Sequence, residues 1–390
     1  MTDLVPTSEQ EIAEIVRSGA PVRVRGNGTR RGLGRPVEAH TTLSLSAHSG
    51  VVLYEPAEMV MSVRAGTPVA LIKQILAEKK QMLPFEPADH RLLYGTTGEP
   101  TFGAVAACNI SGPRRIQAGA ARDSIIGVRF VNGSGEVIKS GGRVMKNVTG
   151  LDLVKLSCGA YGSLGILSEI TFKVLPRPEH SATLVLEGLN DADAVAALTQ
   201  AMGSPYEISG AAHLPGRGDA PPQTLLRLEG FVPSVEERLE LVRGLFAAKA
   251  PAHVLAGDES AARWSYIRDA GPVAEPFEHA IWRISVRPTD GSRFVSAVAD
   301  IGIAAHFYDW SGGLVWLAVS EHADAGAATI RAALATLGGH ATLMRGSDEL
   351  RRATHVFQPL DPALRALTER IKRSVDPKRI LNPSIMYEGI

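Results

Sequence analysis

Four segments rich in glycine and other small residues fall within the first 180 residues, and they constrain the fold of this chain most. Glycine lets the backbone approach a neighbouring group more closely than any other residue does. Side-chain packing alone does not explain four such segments. A long flat cofactor does, because it needs close contacts with the backbone at several places. The segments are Arg25–Thr29, Thr101–Gly112, Lys146–Asp152 and Gly159–Ile166.

The first segment follows a predicted strand, Pro21–Arg25, but it differs from the two common nucleotide-binding loops. Its glycines have the spacing G-x-G-x-x-x-G in place of G-x-G-x-x-G, and no helix start follows them. The dipeptide Gly-Lys of a P-loop does not occur in the chain. Two interpretations are open: an anion-binding nest of backbone N–H groups beside Arg25, Arg30 and Arg31, or an exposed turn between strands.

Charge and cysteine content exclude several classes of protein. The 41 basic residues equal the 41 acidic ones, so the basic surplus typical of nucleic-acid-binding proteins is absent and no nucleic-acid partner is predicted. Cys108 and Cys158 are the two cysteines, whereas an iron–sulfur cluster needs about four. We find no signal-peptide pattern and no run near the roughly 18 apolar residues of a membrane span. We therefore expect a cytoplasmic protein without direct membrane insertion, peripheral to the inner membrane only through a partner.

Hydrophobic periodicity predicts an α+β fold whose character changes at Pro176–Pro178. Before this point we predict a helix capped by Ser8 and a hairpin of Ile125–Val131 with Glu136–Ser140. After it, two β-α-β-β-α units predict a domain with an antiparallel sheet. A helix over Pro362–Val375 is predicted near the C-terminus.

Together, the four segments and a C-terminal I-L-N-P resemble the FAD-binding half of the vanillyl-alcohol-oxidase/PCMH flavoprotein family. The motifs R-G-x-G-T, K-N-x-T-G-L-D, G-S-L-G-I and I-L-N-P occur in the family's order, over residues 22–178 and 370–383. The second motif departs from the family pattern T-[IL]-G-G, because Ala104 replaces its last glycine. The resemblance implies a PCMH-type two-lobed FAD-binding domain in residues 1–178, a smaller α+β cap domain with an antiparallel sheet in residues 179–355, and a segment returning to the FAD domain in residues 356–390.

The resemblance also implies a set of cofactor-binding residues. Some relatives bond the flavin covalently through a histidine of the first loop, and Thr29 stands at that position here, so a non-covalent FAD is implied. The residues implied to bind FAD are Arg25, Gly26, Asn27, Gly28, Thr29, Arg30, Pro84, Thr101, Gly103, Ala104, Cys108, Ser111, Gly112, Gly159, Gly165, Ile166, Ile170 and Asn382.

Within that family the chain is most similar to the second FAD-binding subunits of bacterial glycolate oxidases. This similarity is carried by five segments: Ser111–Arg115, Gly142–Asn147, Lys173–Pro178, Ile281–Val286 and Asp309–Trp316. It implies a complex with a sister FAD-binding catalytic subunit and an iron–sulfur subunit. Such a complex oxidises glycolate, a small 2-hydroxy acid, to glyoxylate and passes electrons towards the membrane.

Candidate catalytic residues are few. Relatives that oxidise 2-hydroxy acids carry a metal-binding H-x-G-D-G-N, and the nearest string here, His213–Asp219, lacks both the spacing and the final asparagine. We therefore predict no metal site. Arg283 interrupts an apolar strand, and it either pairs with a substrate carboxylate or belongs to a solvated face of that strand. No catalytic base is identified.

Three functions are consistent with these residues. The chain is the FAD-binding subunit of a multi-subunit glycolate oxidase, a stand-alone FAD-dependent 2-hydroxy-acid dehydrogenase, or a non-catalytic subunit that holds FAD for assembly. The absent metal motif argues against the second. The other two are not separated by the sequence.

Overall fold

The computed structural model describes residues 2–142 and 151–390. Residues 146–150 of the third glycine-rich segment therefore lie outside the described residues. The strands are β1 (Thr2–Leu4), β2 (Val22–Arg25), β3 (Thr41–Ser44), β4 (Val51–Glu55), β5 (Val60–Arg64), β6 (Gln81–Met82), β7 (Ile125–Val131), β8 (Val137–Gly141), β9 (Ile166–Lys173), β10 (Leu175–Pro176), β11 (His180–Glu187), β12 (Gly210–Leu214), β13 (Gln223–Gly230), β14 (Ala252–Ala256), β15 (Ala280–Ser285), β16 (Ile303–Asp309), β17 (Leu314–Val319) and β18 (His340–Arg345).

Helices connect and cover these strands. They are α1 (Glu9–Arg17), α2 (Val69–Glu78), α3 (Arg91–Tyr94), α4 (Phe102–Ala107), α5 (Arg115–Ala118), α6 (Ala121–Ser124), α7 (Leu153–Ser157), α8 (Asp191–Met202), α9 (Val232–Phe246), α10 (Gly257–Arg268), α11 (Gly271–Ala274), α12 (Gly291–Ala297), α13 (Ala327–Leu337), α14 (Asp348–Ala353) and α15 (Pro362–Val375). Within the described ranges, no helix is long and apolar enough to span a membrane.

Two larger sheets form the first half of the chain, together with a short antiparallel pair of β6 and β10. A parallel sheet has the order β1-β3-β2, and a five-stranded antiparallel sheet has the order β4-β5-β9-β7-β8. The Ser8 hydroxyl accepts a hydrogen bond from the Glu11 N–H, as expected for the cap of α1, and Ile12, Ala13 and Val16 form the buried face of that helix. The predicted hairpin is also confirmed, since β7 and β8 pair antiparallel.

The second half is built on one eight-stranded antiparallel sheet with the order β14-β11-β13-β12-β16-β17-β15-β18. The two predicted β-α-β-β-α units meet in its centre, where His213 of β12 pairs with Tyr308 of β16. This confirms the antiparallel sheet. No helix or strand was predicted at the positions of β14, α10 and β18. Ser260 lies on the buried face of α10, and a polar residue there weakens the apolar periodicity by which helices are predicted.

One face of the large sheet packs against the first half of the chain. Leu33 and Leu93 share an apolar cluster with Phe307, Trp316 and Met344. Directly paired residues of neighbouring antiparallel strands lie on the same face of a sheet. Arg283 on β15 pairs with Trp316 on β17 and therefore shares its face. This face therefore meets the glycine-rich loops.

The C-terminal segment returns to the parallel sheet. The predicted helix α15 is confirmed, and its Lys372 forms an ion pair of 2.8 Å with Asp376, with both side chains fully buried. Beyond it, the Val22 N–H donates to the Ile380 carbonyl oxygen. The domain bounds 1–178, 179–355 and 356–390 stay a prediction.

Candidate functional site

A cavity of about 630 Å³ opens between the first sheet, the glycine-rich loops and the C-terminal segment. It brings together residues that are far apart in the chain. The predicted residues in its lining are Arg25, Gly26, Asn27, Gly28, Thr29, Arg30, Thr101, Gly103, Ala104, Cys108, Gly165, Ile166 and Asn382.

The first loop curls around one end of this cavity. Gly28 has a φ of +75°, a conformation that residues with a Cβ rarely adopt. The Asn27 side chain donates to the Glu99 carbonyl oxygen over 2.9 Å, and the Thr96 hydroxyl donates to the Thr29 carbonyl oxygen over 3.0 Å. These bonds hold the loop backbone in one shape.

Two arginines of this loop fit an anionic group. Within the described ranges, Nε of Arg25 and both Nε and Nη1 of Arg30 are buried without a hydrogen-bond partner. A buried donor without a partner costs about 1–3 kcal/mol. The diphosphate of FAD supplies acceptors of the matching charge, so the residues present fit this cofactor.

The second loop packs closely against Ala65, the residue that follows β5. A Cβ on Gly103 would lie 2.7 Å from the Ala65 carbonyl oxygen, too close for any other residue. The Gly103 N–H donates to that same oxygen over 2.8 Å. Ala104 lines the cavity, so its methyl group occupies space that the family pattern leaves open.

Five predicted residues lie outside the lining of this cavity. Ile170 faces the core between the paired strands β5 and β7, and Pro84 is buried. The Gly159 N–H donates a hydrogen bond to the Ala106 carbonyl oxygen and so joins the fourth segment to the second. Ser111 and Gly112 line a second, smaller space.

This smaller space, called the inner chamber below, has a volume of about 50 Å³. It adjoins the large cavity, because Leu33, Cys108 and Tyr161 line both. Its remaining lining residues are Ala88, His90, Asn109, Ile110, Ser111, Gly112, Ile267, Arg268, Arg283, Asp309, Leu314, Trp316, Thr342 and Met344.

Arg283 faces the inner chamber and is half-buried. Its guanidinium lies 4.9 Å from the centre of the Trp310 indole, and Arg115 lies 4.5 Å from the same ring. Burial and the charge of Arg115 lower the pKa of Arg283 to about 10. Among the described residues, the guanidinium has no hydrogen bond and no carboxylate partner. The solvated-face interpretation of Arg283 is therefore wrong, because the first half of the chain covers this face of the sheet.

Two further titratable groups of the inner chamber were not selected from the sequence. Burial raises the pKa of the Asp309 carboxyl to about 7, although the Trp310 N–H donates to its Oδ1 over 2.7 Å. Burial and the nearby charges of Arg30 and Arg283 hold the pKa of His90 well below its usual range. His90 is therefore a neutral imidazole at pH 7. Asp309 belongs to one of the segments that carry the family resemblance. Nothing in the neighbouring sequence indicates that its side chain is buried.

Two histidines of the second half of the chain, His213 and His306, belong to a separate cluster. Asp191 accepts hydrogen bonds from His306 over 2.7 Å and from Tyr308 over 2.6 Å, and His213 lies 3.4 Å away. Within residues 2–142 and 151–390, no group of three or more His, Cys, Asp or Glu side chains is arranged to hold a metal ion. The absence of a metal stays a prediction.

Comparison with known proteins shows the cofactor and the family. Residues 3–141 match the family described as FAD binding domain. The chain is 33% identical over 379 residues to the glycolate oxidase subunit GlcE of Escherichia coli (strain K12), which covers 97% of this chain and 96% of the relative. The glycolate oxidase subunit GlcD of Bacillus subtilis (strain 168) is 27% identical over 187 residues, 47% of this chain and 38% of the relative.

A solved structure shows the same fold. Substrate-bound p-cresol methylhydroxylase superposes with a TM-score of 0.74 at 15% identity, over 99% of this chain and 88% of the other. The predicted fold class and the predicted FAD cofactor are thus confirmed. This chain belongs to the family of FAD-binding proteins that includes the glycolate oxidase subunit GlcE.

Proposed function

We propose that this chain is the FAD-bearing subunit of a multi-subunit glycolate oxidase that converts glycolate to glyoxylate. One observation carries the proposal: the similarity to the subunit GlcE extends over nearly the whole length of both chains. By contrast, the similarity to a D-lactate dehydrogenase of Anaerostipes hadrus extends over 50% of this chain and 40% of that enzyme. The subunit assignment therefore accounts for more of the chain than a stand-alone dehydrogenase does.

When bound, FAD accepts two electrons from the substrate. The residues that line the large cavity would hold and orient it. Arg25 and Arg30 would offer guanidinium donors to the diphosphate. We propose that the cofactor is non-covalent, because Thr29 offers no ring nitrogen for a bond to the flavin.

The substrate is a small 2-hydroxy acid in this proposal. Arg283 supplies a cation without a carboxylate partner among the described residues, and a guanidinium pairs with a carboxylate through two parallel hydrogen bonds. The inner chamber that Arg283 faces adjoins the flavin cavity. A carboxylate held there keeps the rest of a two-carbon acid close to the flavin.

The electrons must leave through other subunits. Cys108 and Cys158 are the two cysteines of the chain, too few for an iron–sulfur cluster, which needs about four. We propose an iron–sulfur subunit as the acceptor and a sister FAD-binding catalytic subunit as the second partner. The complex lies in the cytoplasm and reaches the inner membrane through these partners. The relatives GlcE and GlcD are both subunits of glycolate oxidases, which supports a multi-subunit assembly.

Affinity purification of this chain from its native source tests the proposal. We expect one FAD in the chain, with a second flavoprotein and an iron–sulfur protein in the same fraction. Glycolate-dependent dye reduction should be much faster for the assembly than for the chain alone. An equal rate for the chain alone would identify a stand-alone dehydrogenase, and a chain purified without FAD would overturn the proposal altogether.

A further inference from the structure

The inner chamber contains polar groups that the protein itself leaves unmatched. Within the described ranges, Nδ1 of His90 is buried without a hydrogen-bond partner. The Arg283 guanidinium is half-buried, lies 4.9 Å from the centre of the Trp310 ring and makes no hydrogen bond to the described residues. The His90 side chain is 96% buried, since its residue is only 4% exposed. Asp309 accepts one hydrogen bond through Oδ1, and its Oδ2 has no hydrogen-bond partner among the described residues. A buried polar atom without a partner is costly, so Nδ1 of His90, in one chamber with a cation and a carboxylate oxygen that have no hydrogen bond, indicates a ligand.

The positions of these groups define the ligand's chemistry. Arg283 on β15 supplies a positive charge, and Asp309 at the end of β16 supplies an oxygen acceptor on the same face of the sheet. The cavity volume of about 50 Å³ admits only a small molecule. A 2-hydroxy acid of two or three carbons carries a carboxylate for the cation and a hydroxyl for the acceptor.

We propose that the inner chamber is the subsite for a small 2-hydroxy carboxylate, in which Arg283 pairs with the carboxylate and Asp309 Oδ2 accepts the hydrogen of the hydroxyl. The inference rests on the proposed function and adds to it the proton acceptor that the sequence did not identify. Asp309 in its ionised form takes the hydroxyl proton at Oδ2 when the substrate is oxidised. His90, as a neutral imidazole, adds a further hydrogen-bonding atom to the wall.

The ionisation of Asp309 makes the subsite testable. Its carboxyl has a pKa of about 7 because it is buried, with the charges of Arg227 and Arg283 opposing that rise and the charge of Glu86 adding to it. A dicarboxylate in the chamber places its second carboxylate against Asp309, and two carboxylates in contact share a proton. Such a ligand must therefore bind together with a proton once Asp309 is ionised. The other titratable groups that line the chamber are His90, Cys108, Tyr161 and Arg268.

Oxalate is the probe, because it has the size of glycolate and a carboxylate where glycolate has its hydroxyl. Calorimetric titration of the FAD-loaded full-length protein between pH 6 and pH 9 gives both Kd and, from buffers of different ionisation enthalpy, the proton uptake. We expect Kd to rise about tenfold per pH unit above pH 7 and about one proton to be taken up at pH 8. Asp309→Asn should abolish the pH dependence and the uptake.

Arg283→Gln should weaken oxalate binding at least about tenfold at every pH, the loss expected for one buried charged hydrogen-bonded pair. Two exposed residues provide matched controls, and Asp300→Asn and Arg293→Gln should both behave like the wild type. If Asp309→Asn does not fold, the proton uptake of the wild type still decides.

The inference would be overturned if the wild type bound oxalate independently of pH, or if Arg283→Gln bound oxalate with unchanged affinity. Neither result would affect the FAD content or the glycolate oxidase assignment. A protein that holds no FAD would instead overturn the proposed function. The flavin content of each sample therefore separates the two failures.

Discussion

The Asn382 amide joins the C-terminal segment to two walls of the large cavity, since its Nδ2 donates to the Tyr161 carbonyl oxygen over 2.7 Å. Its Oδ1 accepts from the Val24 N–H over 2.7 Å. Val24 precedes the first loop, and Tyr161 belongs to the fourth. One side chain from the last motif thus sets the distance between the first and fourth glycine-rich segments.

Asn382→Ala should weaken FAD binding. Two hydrogen bonds are lost, worth together about 1–3 kcal/mol, so Kd for FAD should rise about tenfold or more, as measured by flavin fluorescence. Asn190→Ala is the matched control, because Asn190 caps α8 in the second domain by accepting from the Asp193 N–H over 2.9 Å. An Asn382→Ala variant with wild-type affinity would show that the loops hold their spacing without it.

Gly28→Glu should abolish FAD binding, measured as flavin content after purification. A carboxylate at this position repels the diphosphate, and its Cβ would lie 2.9 Å from Nε of Arg31. Gly302→Glu is the control for backbone strain, since Gly302 has a φ of +74° and no heavy atom within 4 Å of a Cβ. Full flavin content in Gly28→Glu would identify the loop as an ordinary turn.

Acid precipitation should release FAD into the supernatant. Thr29 offers no ring nitrogen, and burial raises the pKa of the Cys108 thiol to about 11, so that this lining residue is not a thiolate at neutral pH. The measurement is the flavin absorbance of the supernatant and of the washed pellet. Yellow colour retained in the pellet would show a covalent bond instead.

Lys372→Met should destabilise the protein by about 3–5 kcal/mol, because it leaves the fully buried Asp376 carboxylate without its cation. The free energy of unfolding in urea measures this loss. Lys378→Met, at an exposed position, should have little effect. In the double variant Lys372→Met/Asp376→Asn the loss should be smaller than the sum of the single losses, and strict additivity would count against a coupled pair.

Glu86→Gln should weaken the contact between the two halves of the chain and flatten the acid limb of stability. Burial raises the pKa of Glu86, but Arg227, at 2.9 Å, and Arg114 together lower it more, and the net shift of the pKa is downward. The stabilisation is therefore complete above the ordinary value of 4.5 and is lost as the pH falls through the lower pKa of the folded state.

The test of this pH dependence is urea unfolding between pH 3 and pH 7. Wild-type stability should fall more steeply below pH 4.5 than that of Glu86→Gln. Glu237→Gln, exposed on α9, should follow the wild type. Parallel curves for wild type and Glu86→Gln would show that this ion pair does not contribute.

Most of the residues predicted to bind FAD line the large cavity, because the motifs that contain them are local. Each glycine-rich loop is a short motif, and a glycine such as Gly28 is favoured wherever a backbone with positive φ occurs. The α+β class followed from periodicity for the same reason. Prediction failed for α10, whose buried face includes the polar Ser260 bonded to Thr183, so that no local pattern indicated a helix.

The sequence by itself determined the cofactor loops, the fold class and the resemblance to a flavoprotein family, since all three reside in contiguous motifs. Only the tertiary structure decided the inner chamber. His90, Arg283 and Asp309 come from distant segments, and strand pairing together with the packing of the two halves brings them to one cavity. The raised pKa of Asp309 and the unpartnered charge of Arg283 both arise from burial, which is a property of the folded chain and of no single segment.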